Sequence, residues 1–176
     1  MVKPFEVGRL TELVREKVLY RKRNKRLDKQ RVGAILQPCV SSIIEDWLAR
    51  AKQSSELSCL PLSDQGRIGH LSKLVEDLAL RLSKPHATAK DGDAISSAAA
   101  VAHGKLRYQQ GYAPAMLVHE SRILQVTIFG TLQRNLNYVD FSPLLPDVMT
   151  IAGEVDSQLT QAMEGYMTLI PKSPGA

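Results

Sequence analysis

The chain has 176 residues, of which 44% are hydrophobic and 23% are charged, an ordinary balance for one globular domain. Aromatic residues make up only 5%, which disfavours a β-sandwich because its strands favour aromatic and β-branched side chains. No run of about 18 apolar residues occurs, so no transmembrane helix is predicted, and the first residues lack the apolar core of a signal peptide. We therefore expect a cytoplasmic protein that does not use the membrane.

The net charge of +5 is concentrated in one segment near the amino terminus. Between Arg15 and Arg31, nine basic residues stand against Glu16 and Asp28. This segment carries +7, so the rest of the chain carries −2. Its densest part, the basic patch, consists of Arg21, Lys22, Arg23, Lys25 and Arg26.

A basic run of this kind raises the question of nucleic-acid binding through phosphate neutralisation. Tyr20 is the only aromatic residue within it, and no DNA-reading helix–turn–helix follows. A solvated helix end or a surface for an acidic partner is the favoured interpretation. An anionic membrane surface is disfavoured, because the segment itself lacks an apolar insertion face.

Apolar residues at intervals of three and four predict the first helices of the chain. One helix begins near Pro4 or Gly8 and runs into the basic segment. A second carries an apolar stripe over residues 36–51, with Pro38 in its first turn, where proline is tolerated. Residues 53–61 are predicted to be a loop.

The middle of the chain predicts two further helices with polar caps. Ser63 or Asp64 would cap a helix whose apolar residues run from Ile68 to Leu82. After a polar connection, Asp91 or Asp93 would cap an alanine-rich helix, whose small side chains would let a neighbouring helix approach closely.

A tight turn at Gly111 and Pro114 connects the alanine-rich helix to the next. Glycine is the expected left-handed residue after a helix end, and proline fits the first turn of a helix. The helix over residues 114–137 is apolar on more than one side, and the last helix runs over residues 143–170.

These elements predict an all-α fold, a bundle of five to six helices, with a globin-like arrangement among the options. The domain would span residues 34–170, between a basic helical extension over residues 1–33 and a flexible tail over residues 171–176. The surplus of apolar positions on the last two helices predicts a homodimer, because a partner chain would bury a second apolar face.

One cluster of charged residues surrounds the predicted turn. His103 and Arg107 stand one helical turn apart on the same face, and Glu120 follows across Gly111. Such a cluster could bind an anion or sense pH. The favoured alternative is a half-buried ion pair that fixes the hairpin, since structural networks perturb such residues as often as functional ones do.

A haem sensor of globin type is an alternative, with His103 or His70 as the ligand. The three phenylalanines are widely scattered, so an aromatic pocket is not indicated and we expect no cofactor. Neither the histidines nor the two cysteines have the spacing of metal ligands, so no metal site is predicted.

Catalytic signals are missing from the sequence. No Gly-rich phosphate loop, nucleophile elbow or carboxylate pair of catalytic spacing occurs. The serine pairs at positions 54–55 and 96–97 show no partnered base in any identifiable motif. A protein that is not an enzyme is therefore expected.

The segment around the turn also resembles a known family. The residues that carry the resemblance are His103, Gly104, Arg107, Gln110, Gly111, Tyr112, Leu117, Glu120 and Leu124. Their pattern is similar to the N-terminal domain of RsbRD-type stressosome co-antagonists, and related domains precede histidine kinase modules in many bacteria. The resemblance implies a dimeric, non-haem globin-like sensory module that signals through its last helix to an output domain or regulatory protein.

Overall fold

The computed structural model of the chain describes residues 29–83 and 97–171. Four predictions lie outside these residues: the helix that begins near Pro4 or Gly8, the basic patch, the caps at Asp91 or Asp93, and most of the carboxy-terminal tail. Within the described ranges, no helix is long and apolar enough to cross a membrane.

The described residues form an all-α fold, as the sequence predicts. Their eight α-helices are α1 (Val32–Leu36), α2 (Val40–Gln53), α3 (Ser55–Ser58), α4 (Asp64–Ile68), α5 (Leu71–Leu82), α6 (Ala98–Gln109), α7 (Pro114–Arg134) and α8 (Leu144–Met167). The helices α2, α5, α6, α7 and α8 are long and form the bundle. A globin-like arrangement stays a prediction.

Two of the predicted helices are interrupted. Pro38 lies in a 3₁₀ turn, Gln37–Cys39, that separates α1 from α2, because proline has no N–H to donate within a helix. The predicted domain boundary after residue 33 falls inside α1, whose Val32 and Leu36 are fully buried. The predicted helix that Ser63 or Asp64 would cap, with apolar residues from Ile68 to Leu82, is likewise two helices, α4 and α5, separated at Gly69 with φ +51°.

Serine hydroxyls cap two helices, α3 and α6, at positions where the sequence analysis predicts no cap. The predicted loop over residues 53–61 contains α3, which Ser54 caps by accepting a hydrogen bond from the N–H of Leu57 at 3.4 Å. Ser97 caps α6 by accepting from the N–H of Ala100 at 3.3 Å. Each hydroxyl satisfies one of the N–H groups that the first turn of a helix leaves unpaired.

The predicted turn between α6 and α7 is confirmed in its local geometry. Gly111 has φ +82°, and its N–H donates to the carbonyl of Tyr108 at 3.0 Å. The N–H of Tyr112 donates to the carbonyl of Arg107, also at 3.0 Å. This pair of bonds is the Schellman motif, and Pro114 then opens α7.

The helices α6 and α8 run antiparallel and touch through their backbones. A Cβ built on Gly104 would lie 1.7 Å from the carbonyl oxygen of Ala162, and one built on Gly165 would lie 2.3 Å from that of Val101. The close approach predicted for the alanine-rich helix is therefore present, and it depends on two glycines. It fixes α6, and the turn that follows it, against α8.

Candidate functional site

The predicted cluster of His103, Arg107 and Glu120, the hairpin cluster, is buried between α6 and α7. Arg107 is fully buried, and Glu120 and His103 are 2% and 6% exposed. Arg107 lies four residues before Gly111 and Glu120 nine residues after it, and the turn brings their side chains into hydrogen-bond contact. The sequence predicts a half-buried ion pair here, and the structure buries the pair fully.

Arg107 uses all five of its N–H donors. Nε donates to Glu120 Oε2 at 2.8 Å, and Nη2 donates to Glu120 Oε1 and to the carbonyl of Arg67. Nη1 donates to the carbonyl of Gly66 at 3.0 Å and to Gln110 Oε1 at 2.7 Å. The guanidinium therefore connects α6, α7 and the last turn of α4, whose terminal carbonyls have no helical partner of their own.

The carboxylate of Glu120 is stabilised in its charged form. Burial alone would raise the pKa of Glu120, but the hydrogen bonds and charges of His103 and Arg107 outweigh burial and lower that pKa. An ionised carboxylate beside a buried guanidinium gives charge-assisted hydrogen bonds, which are stronger than neutral ones. The hairpin cluster is therefore a salt bridge at neutral pH.

Tyr112 covers the guanidinium from the turn. The Arg107 guanidinium carbon lies 4.8 Å from the centre of the Tyr112 ring, within the range of a cation–π contact. Burial, together with the negative charge of Glu120, raises the pKa of the Tyr112 hydroxyl, although Arg107 and Arg67 oppose this rise. Four of the residues that carry the resemblance, His103, Arg107, Tyr112 and Glu120, thus form one contact group around Gly111.

Two further residues, which the sequence analysis does not identify, make polar contacts in this group. Arg67 is only 5% exposed and donates to the carbonyls of Leu57 at 2.8 Å and Leu60 at 2.6 Å. The indole N–H of Trp47 donates to the carbonyl of Glu120 at 3.3 Å. Neither contact has a signal in sequence spacing, because each joins residues that only the tertiary fold brings together.

His103 lines a small cavity. Its Nε2 lies 3.4 Å from Glu120 Oε1, and among the described residues its Nδ1 has no hydrogen-bond partner. The cavity measures about 30 Å³ and is lined mainly by leucines, with Ser121 and Gln158 as further polar neighbours. This volume is suited to a water molecule.

A haem does not fit at the two histidines that the sequence offers. The cavity beside His103 is about 30 Å³, whereas pockets for drug-sized ligands measure roughly 300–1,000 Å³. His103 Nε2 also faces Glu120, and His70 is an exposed residue at the start of α5. Over the described ranges, no group of three or more His, Cys, Asp or Glu side chains could hold a metal ion.

One serine has a histidine neighbour that the sequence does not predict. Ser54 Oγ lies 3.0 Å from His119 Nε2, and His119 Nδ1 lies 3.6 Å from Glu56 Oε2. Serine, histidine and glutamate follow one another as the nucleophile, base and acid of a catalytic triad do. The distance of 3.6 Å between His119 and Glu56 is, however, too long for a hydrogen bond. Glu56 is 63% exposed, and Ser54 already caps α3, so the contact ties α3 to α7.

Comparison with known proteins gives no match to this chain among family models, curated proteins or solved structures. The resemblance around Gly111 therefore rests on its own residues.

Proposed function

We propose that the chain is a cytoplasmic, non-enzymatic sensory or regulatory input domain of a bacterial signal-transduction protein, and that it acts as a homodimer. A line of apolar side chains on the outer face of α7 carries this proposal. Val118 and Val126 are 51% and 47% exposed, with the exposed Arg122 between them at intervals of four residues, and the half-buried Phe129 lies on the same side of the helix. An outer helix face is normally polar, so an apolar line there fits a partner helix.

A second copy of the chain is the occupant that we assign to this line. In a two-fold contact the same surface of each chain faces the other, so one apolar helix face is enough to form the interface. The 21 residues of α7 make a helix about 32 Å long, which gives two copies a long seam to share. The resemblance of the hairpin segment to dimeric sensory domains supports the same assignment.

The helix α8 connects this surface to the rest of the domain. Near its start, Asp147 accepts a hydrogen bond from Arg31 at 2.8 Å. In its middle, Gln158 donates to a main-chain carbonyl of α5. Near its end, the hydroxyl of Tyr166 donates to the carbonyl of Tyr112 at 2.7 Å. A displacement of the α6–α7 hairpin would therefore act on the end of α8, which would pass it to an output domain or a regulatory protein.

In this proposal the hairpin cluster has a structural role and is not a ligand site. Its donors and acceptors are satisfied by the protein, apart from His103 Nδ1. A ligand that binds the Arg107 guanidinium or the Glu120 carboxylate would have to displace an existing hydrogen bond. The cluster therefore holds α4, α6 and α7 in one arrangement, so that they move together.

Sedimentation velocity at micromolar concentration tests the dimer. We expect the unmodified chain to sediment as a dimer and the double variant Val118→Glu, Val126→Glu to sediment as a monomer, because the interface would bury four carboxylates. The matched control is Leu80→Glu, since Leu80 is 55% exposed on α5, away from this line. Circular dichroism of each variant checks that its helices are intact.

Two results would contradict the proposal. One is an unmodified chain that is monomeric over the whole concentration range. The other is a double variant that keeps its helical content and remains dimeric, which would place the interface elsewhere.

A further inference from the structure

The helix α8 carries a line of apolar side chains of its own, here called the α8 strip, beside the apolar line of α7. One charged residue, the exposed Asp156, interrupts the strip at its middle. The members of the strip, Asp156 included, recur at intervals of three and four residues, which keeps them on one side of the helix. Its apolar members are the exposed Met149 and Met167, at 68% and 54%, and the half-buried Ala152, Leu159 and Met163.

The α8 strip and the apolar line of α7 lie next to each other. The cavity beside His103 is lined by residues of both helices. Among the described residues that line it, all are buried except Ser121 of α7 and Leu159 of α8, which are half-buried. These two residues therefore stand where the two helices meet the surface, so a partner that covers one apolar line also reaches the other.

Arg122 of α7 and Asp156 of α8 lie at the same height along the two helices. The helices run antiparallel, because residues 135–143 connect the end of α7 to the start of α8. In agreement, the hydroxyl of Tyr166, near the end of α8, donates to the carbonyl of Tyr112, just before α7. Arg122 follows Tyr112 by ten residues and Asp156 precedes Tyr166 by ten. Each is the one charged residue within its apolar line.

The charges of the two helices are complementary. The one acidic residue of α7 is Glu120, which is buried in the hairpin cluster, whereas α8 has four acidic residues and no lysine or arginine. Two of these four, Asp147 and Glu154, are paired with arginines of their own chain. Within the part of the chain that the structure describes, neither Arg122 nor Asp156 has an ion-pair partner.

We infer that the homodimer packs α7 of each copy against α8 of the other, and that Arg122 of each copy pairs with the partner's Asp156. This inference rests on the dimer proposed above and assigns its arrangement. A contact of α7 with the partner's α7 would put two guanidinium groups into one apolar seam with no exposed carboxylate from either helix, and unpaired buried charge is costly. A contact of α7 with the partner's α8 places apolar against apolar side chains and a cation against an anion. The two-fold symmetry repeats this pair.

The ion pair also determines the direction of the two copies. Because Arg122 and Asp156 lie at the same height within one chain, pairing them between chains keeps both copies at that height and pointing the same way. The two-fold axis then runs parallel to α7 and α8, and the two α8 helices end on the same side of the dimer. A polar residue within an apolar helix seam specifies register in this manner in coiled coils. Two output domains that follow α8 would then lie side by side.

Charge reversal tests the ion pair by sedimentation velocity of the full chain. We expect Arg122→Glu and Asp156→Arg each to raise the dissociation constant of the dimer by about ten-fold or more, because each places like charges opposite one another. The double variant should return to within about three-fold of the unmodified chain, because the same pair forms again with its charges exchanged. The controls are Arg50→Glu on α2 and Glu76→Arg on α5, both at exposed positions, and neither should change the dissociation constant.

A distance between spin labels tests the direction of the copies. The label is attached at Thr168→Cys, at the exposed end of α8, after Cys39→Ala and Cys59→Ser remove the free cysteines. If the copies point the same way, we expect the labels to lie about two helix diameters apart, about 20–25 Å. If they point in opposite directions about the height of Asp156, twelve residues away, the labels lie at least about 36 Å apart.

The outcomes separate a failure of this inference from a failure of the dimer. A chain that is monomeric at every concentration removes both. A dimer that the Val118→Glu, Val126→Glu variant dissociates, but that the single charge reversals leave intact, keeps the dimer and overturns the arrangement. A double reversal that is no tighter than the single ones, or labels about 36 Å or more apart, overturns it as well. Reversals that shift the urea midpoint but not the dissociation constant would place the pair within one chain.

Discussion

Arg107 donates to a carboxylate, an amide oxygen and two main-chain carbonyls, and a lysine in its place could not do the same. The guanidinium presents five donors in a fixed planar fork, while an ammonium group is a compact charge with three. The planar shape also lets Arg107 lie against the ring of Tyr112. The requirement for arginine at this position therefore follows from geometry as much as from charge.

The ionisation of Glu120 should make stability depend on pH in the acidic range. The pKa of Glu120 is lowered on folding, so ionised Glu120 stabilises the folded chain above its ordinary value of 4.5. This contribution is lost as pH falls from that value through the lower pKa of the folded state. We expect the free energy of unfolding, measured with urea at a series of pH values, to fall over this interval.

The variant Glu120→Gln isolates this contribution from those of other carboxylates. At neutral pH it should be less stable by about 3 kcal/mol, because Arg107 keeps its buried charge without an anionic partner. The difference between the two proteins should shrink as pH is lowered below 4.5. A difference that stays constant across the acidic range would show that folding does not lower the pKa of Glu120.

Gly111 should be difficult to replace with a β-branched residue. Its φ of +82° lies where L-residues pay roughly 1–2 kcal/mol, so Gly111→Val should lower the free energy of unfolding by about that amount. Gly111→Asn is the control, because asparagine tolerates this conformation better. Equal stability of the valine variant and the unmodified chain would contradict the observed turn.

The turn and the buried cluster differ in how far the sequence can predict them. Gly111 and Pro114 are local signals, since their preferences follow from their own backbone chemistry, and the turn is present as predicted. Arg67 carries no such signal. A polar residue in a polar stretch is expected at the surface, and its burial depends on carbonyls ten and seven residues away.

At the scale of helices, the contact between α6 and α8 should be the least tolerant of added volume. Gly104→Ala would place a Cβ 1.7 Å from the carbonyl oxygen of Ala162, so the two helices would have to separate. We expect a loss of about 2–3 kcal/mol in the free energy of unfolding, the range of overpacked cores.

Gly153→Ala is the matched control, because Gly153 also lies inside a helix but has no atom near its Cβ position. Alanine there should stabilise the chain by about 0.5–1 kcal/mol, since glycine is a poor helix former. If both alanine variants raise stability, the helices are farther apart than the structure places them.

The ends of helices are harder to predict than the helices themselves, because contacts with distant residues can decide where a helix ends. Apolar spacing runs on through residues 68–82, yet α4 ends at Ile68 and α5 begins at Leu71. The interruption leaves the carbonyls of Gly66 and Arg67 to accept from Arg107. A distant arginine therefore favours a break that local periodicity does not show.

For the whole molecule, we expect one cooperative unfolding transition. The buried apolar residues of the described ranges form a single cluster that extends from Val32 to Tyr166, and an ion pair joins Arg31, just before α1, to Asp147 of α8. A single core without a separable part is the condition for two-state behaviour in a domain of this size.

The only tryptophan of the chain makes this testable. Trp47 is fully buried on α2, far along the chain from Gly104 and Ala162. Its fluorescence and the far-ultraviolet circular dichroism should change at the same urea concentration, with protein concentration held fixed because a dimer adds mass-action stability. Gly104→Ala should lower both midpoints equally, since the α6–α8 contact and the surroundings of Trp47 then belong to one cooperative unit. If only the circular dichroism midpoint moves, α1–α5 and α6–α8 unfold separately, and a signal could not pass from the α7 surface through the whole domain.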